Sequence, residues 1–241
     1  MFAIDPRYLC FMLPAFLLMM YAQWRVSSTY AKWSKVRNAM NITGLDAARR
    51  LLSSGGSGAS IESSAGLSDV RLAGIGGRLT DRYDPGKNTL YLSQEVAQHP
   101  SVAAIAVAAH EIGHAVQQAE GYLPLRLRSL MVPAVSIGSY LGWILIFGGL
   151  ILGFTQVAWA GVLFFSLGAV FAFATLPVEF NASRRARAML AENGMLQSEQ
   201  DARGVNDVLN AAAMTYVGGL ATALMQLLYF VTLIGGGRRR S

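Results

Sequence analysis

The residues most able to do chemistry stand together in His110-Glu111-Ile112-Gly113-His114. On a helix, residues four apart share one face, so His110 and His114 can offer two imidazole nitrogens to one metal ion. Glu111 lies about a hundred degrees around the helix, placed to reach a water on the metal without being a ligand. Zinc acidifies such a water, and a neighbouring carboxylate can take its proton as the oxygen attacks a carbonyl. This spacing is the working core of a metallopeptidase. The flanks are apolar, Val107-Ala108-Ala109 before and Ala115-Val116 after, which places the motif on a buried helix. Of the three histidines in the chain, two are spent here.

A catalytic zinc site needs three protein ligands and one open position. His99 precedes Pro100 in a broken turn and reads as a structural or solvated histidine. Glu120 stands six residues after His114, where one large metalloprotease class places its third ligand. That class turns the chain with a glycine where this one has Gln117, so the helix is expected to run on and carry Glu120 away. Glu179 follows Leu176-Pro177, and Pro177 suits the first turn of a new helix. The pattern leaves two readings of Glu179 open: a third metal ligand, or a first-turn glutamate serving the helix dipole.

These residues need elements to hold them. The motif helix is expected over Ser101 to Ala119, after a break at His99-Pro100. Before it, Ser93 can cap a short helix. Candidate strands run over Val70 to Ile75, Arg78 to Tyr83 and Thr89 to Leu92, with Asp84-Pro85-Gly86-Lys87-Asn88 as turn chemistry. An edge strand beside the metal could hold an extended peptide by its main chain, or the hairpin could simply cover the helix. Upstream, Thr43 with Asp46 forms a capping-box signature for a helix over Asp46 to Leu52. The stretch Ser53 to Gly58 is low complexity and reads as a loop, since no lysine or strand-to-helix context makes it a phosphate cradle.

The chain has 241 residues, 53% hydrophobic and 14% charged, which is too apolar for an ordinary soluble domain. Met131 to Leu152 and Gly153 to Val178 carry no charge, and each is long enough to cross a bilayer. They read as a transmembrane hairpin with a short notch at Gly153-Phe154-Thr155-Gln156. Tyr8 to Trp24 is a third candidate span, an uncleaved anchor because no small-residue cleavage site follows it. Arg25 to Asn41 reads as a separate helix at the membrane surface. Ala211 to Ile234 is the fourth candidate: either it crosses fully and leaves Arg238 to Arg240 outside, against the positive-inside rule, or it is re-entrant or lies along the interface, with breaks that Gly218-Gly219 and Gly235 to Gly237 would permit. The expected organisation is an anchor (1–24), a zinc-peptidase region (25–130), a membrane hairpin (131–176), a helical region with the third ligand (177–210) and a membrane helix with a basic tail (211–241).

Twenty Lys and Arg give a net charge of +6. Twelve lie between Arg25 and Arg128, four between Arg184 and Arg203, and none in the notch. The positive-inside rule then puts both polar regions in the cytoplasm of a multi-pass cell-membrane protein. Lipid headgroups explain the charge without nucleic acid, for which no aromatic-basic binding motif is present. The single Cys10 falls in an apolar segment and reads as packing.

The HEIGH helix, followed across the charge-free pair by Glu179-Phe180-Asn181-Ala182-Ser183, resembles the integral-membrane neutral zinc metallopeptidases of the YugP type. The similarity extends over Leu79 to Pro85, Leu90 to Ser93, Leu176 to Ser183 and Leu209 to Tyr216, with 53–64 as a loose insertion. A more distant resemblance is to the HtpX and CAAX-prenyl endopeptidase group, whose ligand helix commonly carries an Asp where this chain has Ser183. The resemblance implies His110, His114 and Glu179 as ligands of one zinc ion and Glu111 as general base. The expected protein is mainly α, a polytopic helical membrane protein with a small β-hairpin next to the HExxH helix. Its expected activity is hydrolysis of membrane-associated or unfolded polypeptides; Tyr216, Asn181 and Arg187 are candidates for stabilising the oxyanion. Two rival readings are a membrane scaffold that retains a structural zinc, which would have no need of Glu111, and a transporter, which would place ionisable residues inside the spans.

Overall fold

The computed structural model describes residues 6–55 and 67–236. Most of the loop reading over 53–64, and the basic tail Arg238 to Arg240, lie outside the described residues. Among the described residues seven helices and three strands follow in the order α1 (Pro6–Trp33), α2 (Gly44–Ser53), β1 (Arg71–Ile75), β2 (Arg82–Asp84), β3 (Thr89–Ser93), α3 (Gln94–Gln98), α4 (Val102–Ala119), α5 (Leu123–Ile151), α6 (Thr155–Glu192) and α7 (Glu199–Gly236). The protein is a mainly helical membrane protein. It divides into two compact units, one of residues 1–23, 127–177 and 215–241, the other of residues 24–126 and 178–214.

Among the described residues four helices, α1, α5, α6 and α7, are long and apolar enough to cross a membrane; the first unit holds residues 6–23, 127–151, 155–177 and 215–236 of them. Large apolar side chains such as Phe16, Ile137, Ile144 and Leu163 point outward, as on a surface bathed in lipid. Packing inside relies on small residues that let backbones approach. A Cβ on Gly161 would come within 2.6 Å of Ile146 N and 2.8 Å of Gly142 O, so α5 and α6 touch backbone to backbone. Beside that contact Trp143, Phe147 and Phe165 each set a ring edge-on to Phe230.

Two sequence expectations change here, and a break that the sequence only allowed is not formed. The charge-free pair turns at Leu152 to Phe154, where Gly153 takes a φ of +74°, but α6 does not restart at Pro177. Pro177 sits inside one helix of 38 residues. Its ring suits a helical φ and forfeits one backbone bond, a loss that hydrophobic helices absorb; two residues earlier the Thr175 hydroxyl already back-bonds Phe171 O. Likewise α1 runs unbroken through Arg25 to Trp33, and α7 through Gly218-Gly219, so neither a separate surface helix nor a break at that glycine pair is formed.

The second unit is built around α4. Its alanine-rich stretch is buried almost throughout, and Ile105 and Ile112 pack with Leu51, Leu67, Leu90, Leu190 and Leu209. The two caps read from sequence are made: Thr43 and Asp46 close a capping box on α2, and Ser93 accepts from Val96 N–H. Ser101, expected as the first residue of the motif helix, is its N-cap and accepts from Ala104 N–H. The hairpin β2–β3 is joined by β1, the first of the three expected strands. β1 pairs parallel to β3, giving the order β1-β3-β2 and leaving β2 at an edge. β2 is also shorter than expected, because Gly77 and Leu79 take φ of +100° and +56° and turn the chain before Arg82.

Candidate metal centre

Close approach of α4 to the second half of α6 makes the site. Gly113, inside the motif, has no room for a side chain: a Cβ there would lie 2.6 Å from the Ala182 carbonyl oxygen. Replacing Gly113 by Ala must push the two helices apart by several tenths of an ångström, at an expected cost of about 1–3 kcal/mol. Thermal unfolding and bound zinc should both fall, and an unchanged variant would show the contact to be slack.

Because the helices touch at Gly113, Glu179 arrives opposite both histidines. Its Oε2 stands 3.3 Å from His110 Nε2 and 3.5 Å from His114 Nε2. One donor atom from each residue lies within 4.8 Å of the other two. The two imidazoles form a T-shaped pair at 85°, and each turns its Nε2 to the same carboxylate oxygen. Glu179 is only 3% exposed, and its Oε2 is buried with no hydrogen-bond partner. A buried carboxylate oxygen in that state is costly unless a cation takes its lone pair. Two imidazoles and one carboxylate are also the donor set of catalytic zinc sites. The residues fit the ion.

Glu111 does not join the three. Its Oε2 accepts the Tyr83 N–H at 2.9 Å. Tyr83 belongs to edge strand β2, and this N–H points away from β3, so the hairpin edge grips the carboxylate at that position. The Tyr83 hydroxyl donates to Asn88 Oδ1 at 2.7 Å and steadies the turn. Loss of hydration pushes the Glu111 carboxyl above the usual carboxylate range, against the pull of His110, His114 and the Tyr83 N–H. A carboxylate tuned upward is a better proton acceptor near neutral pH than an ordinary surface glutamate.

The family described as "Putative neutral zinc metallopeptidase" matches residues 8–235 of the chain. The chain belongs to that family. A relative from Bacillus subtilis (strain 168), named "Putative membrane protease YugP", is 39% identical over 221 residues, 92% of this chain and 93% of its own. No solved structure matches.

In this family member the other sequence candidates are placed elsewhere. His99 is exposed and turns its Nδ1 to Glu95 O, 3.0 Å away on its own helix. Glu120 caps the end of α4 and forms a two-pronged ion pair with Arg185, Nη1 to Oε1 at 2.9 Å and Nη2 to Oε2 at 2.5 Å. Among the oxyanion candidates, Arg187 donates to Asn210 Oδ1 at 2.6 Å. Asn181 Oδ1 is engaged by Gln117 and Arg185. Tyr216 belongs to the other compact unit. Ser183, standing where the distant relatives carry Asp, has its Oγ 3.2 Å from His110 Nδ1. Tyr83 had no sequence signal, because its contribution is a backbone N–H.

Proposed function

We propose that the chain is a membrane-embedded zinc metalloendopeptidase that hydrolyses peptide bonds in membrane-associated or unfolded polypeptides, with its site on the cytoplasmic side. The observation that carries this reading is the convergence of His110, His114 and Glu179 with Glu111 held beside them but outside the ligand set. Zinc bound there supplies a Lewis acid for the scissile carbonyl and acidifies water. Glu111 accepts the water proton and delivers it to the leaving amine. The Tyr83 N–H holds Oε2, so Oε1 is the oxygen we assign to that transfer. His110 and His114 present Nε2, and Glu179 contributes the negative charge that offsets the ion. A structural site needs no such base and is usually closed by a fourth ligand, which disfavours the scaffold reading. The bilayer is the charged surface that the juxtamembrane Lys and Arg meet, in place of nucleic acid.

Sealed inverted vesicles containing the protein should cleave an unfolded polypeptide added outside them, and right-side-out vesicles should not. A chelator should stop the cleavage and zinc should restore it. Cleavage that survives chelation, or that occurs only with right-side-out vesicles, contradicts the reading.

A further inference from the structure

Gln117 lies one turn after His114 and is completely buried. Its Oε1 is 3.0 Å from His114 Nδ1. On the other side its Nε2 donates to the Val178 carbonyl at 2.8 Å and to Asn181 Oδ1 at 2.9 Å. Asn181 Oδ1 also receives Arg185 Nε at 2.7 Å, and Arg185 is clamped by Glu120.

The polarity of this chain of bonds follows from its ends. A guanidinium can only donate, and a backbone carbonyl can only accept. Arg185 therefore requires oxygen, not NH2, on the near side of Asn181. That oxygen and the Val178 carbonyl both require the NH2 of Gln117. The Gln117 oxygen is then left for His114, so Nδ1 must carry the proton and Nε2 must carry the lone pair. Nε2 is the nitrogen that faces Glu179.

We propose that Gln117 is a positioning residue that fixes the His114 tautomer for metal binding, and that Arg185 sets its direction through Asn181. This rests on the zinc-site reading above and assigns Glu120 a part in it as the clamp on Arg185. Outer partners of metal-bound histidines commonly act this way, through a carboxylate or carbonyl. Here the partner is a neutral amide with no intrinsic direction, which the Val178 carbonyl and, two hydrogen bonds away, the Arg185 guanidinium supply together.

The test measures zinc affinity of the full chain in detergent by competition with a chromophoric chelator, together with the thermal midpoint of the metal-free protein. Q117M keeps the volume and removes all three hydrogen bonds; it should weaken zinc about ten- to a hundredfold. N181L, which breaks the link to Arg185, should weaken it too. N181D keeps an oxygen acceptor towards both Gln117 and Arg185 and should bind zinc as the wild type does. That rescue separates direction-setting from simple packing, since Asp and Leu each replace Asn. Undiminished affinity in folded Q117M overturns the inference. If Q117M does not fold, N181L binding as tightly as N181D overturns it, and so does loss of affinity in N181D. A wild type that binds no zinc instead defeats the underlying site reading.

Discussion

Glu111→Gln is expected to reduce peptide-bond cleavage by about two to four orders of magnitude while zinc stays bound. The substitution keeps the size and the planar end group, and its amide oxygen can still accept the Tyr83 N–H that holds the native carboxylate. What it loses is the ability to take a proton. None of the three converging donor atoms belongs to Glu111, so the metal should not notice. The measurement is kcat on an unfolded membrane-protein substrate, alongside metal content of the same preparation. A variant that cleaves as fast as the wild type would remove Glu111 from the proton-transfer step.

Glu179→Ala should have the opposite signature, with metal lost and the fold kept. Two imidazoles remain, but the anionic donor between them is gone, and zinc affinity should drop by more than the about hundredfold seen when only an outer partner is removed. The metal-free protein should tolerate the change well. In it, Glu179 Oε2 is a buried oxygen with no hydrogen bond, an arrangement that costs about 1–3 kcal/mol. Removing it relieves that cost and partly offsets the cavity. Zinc should therefore raise the thermal midpoint of the wild type, by mass action on the folded state, and leave that of Glu179→Ala where it was. An equal zinc-dependent rise in both would reject Glu179 as a ligand.

The legible parts of this molecule are those written in local chemistry. Thr43, Ser93 and Ser101 announce helix starts because their hydroxyls satisfy backbone donors a few residues away, and each does so. The His110–His114 spacing works for the same reason, since helix geometry alone sets it. Glu179 was less accessible. It comes from a different helix beyond the membrane hairpin, and a first-turn glutamate has the same local pattern as a ligand. Pro177 misled in the same way: it signals a helix start in water, but α6 carries it inside a hydrophobic helix. The parallel pairing of β1 with β3 and the Tyr83 N–H on Glu111 involve backbone atoms from distant segments, which no side-chain pattern reports. Gln117 was visible only as the residue that is not glycine, while its function depends on what α6 places against it.

Bound zinc per chain, measured on the wild type, Glu111→Gln and Glu179→Ala purified in the same way, tests the division of labour most directly. Three protein ligands and one open position hold one ion. About one zinc is expected in the wild type and in Glu111→Gln, and little in Glu179→Ala. Full occupancy in Glu179→Ala, or loss of the metal in Glu111→Gln, would contradict it.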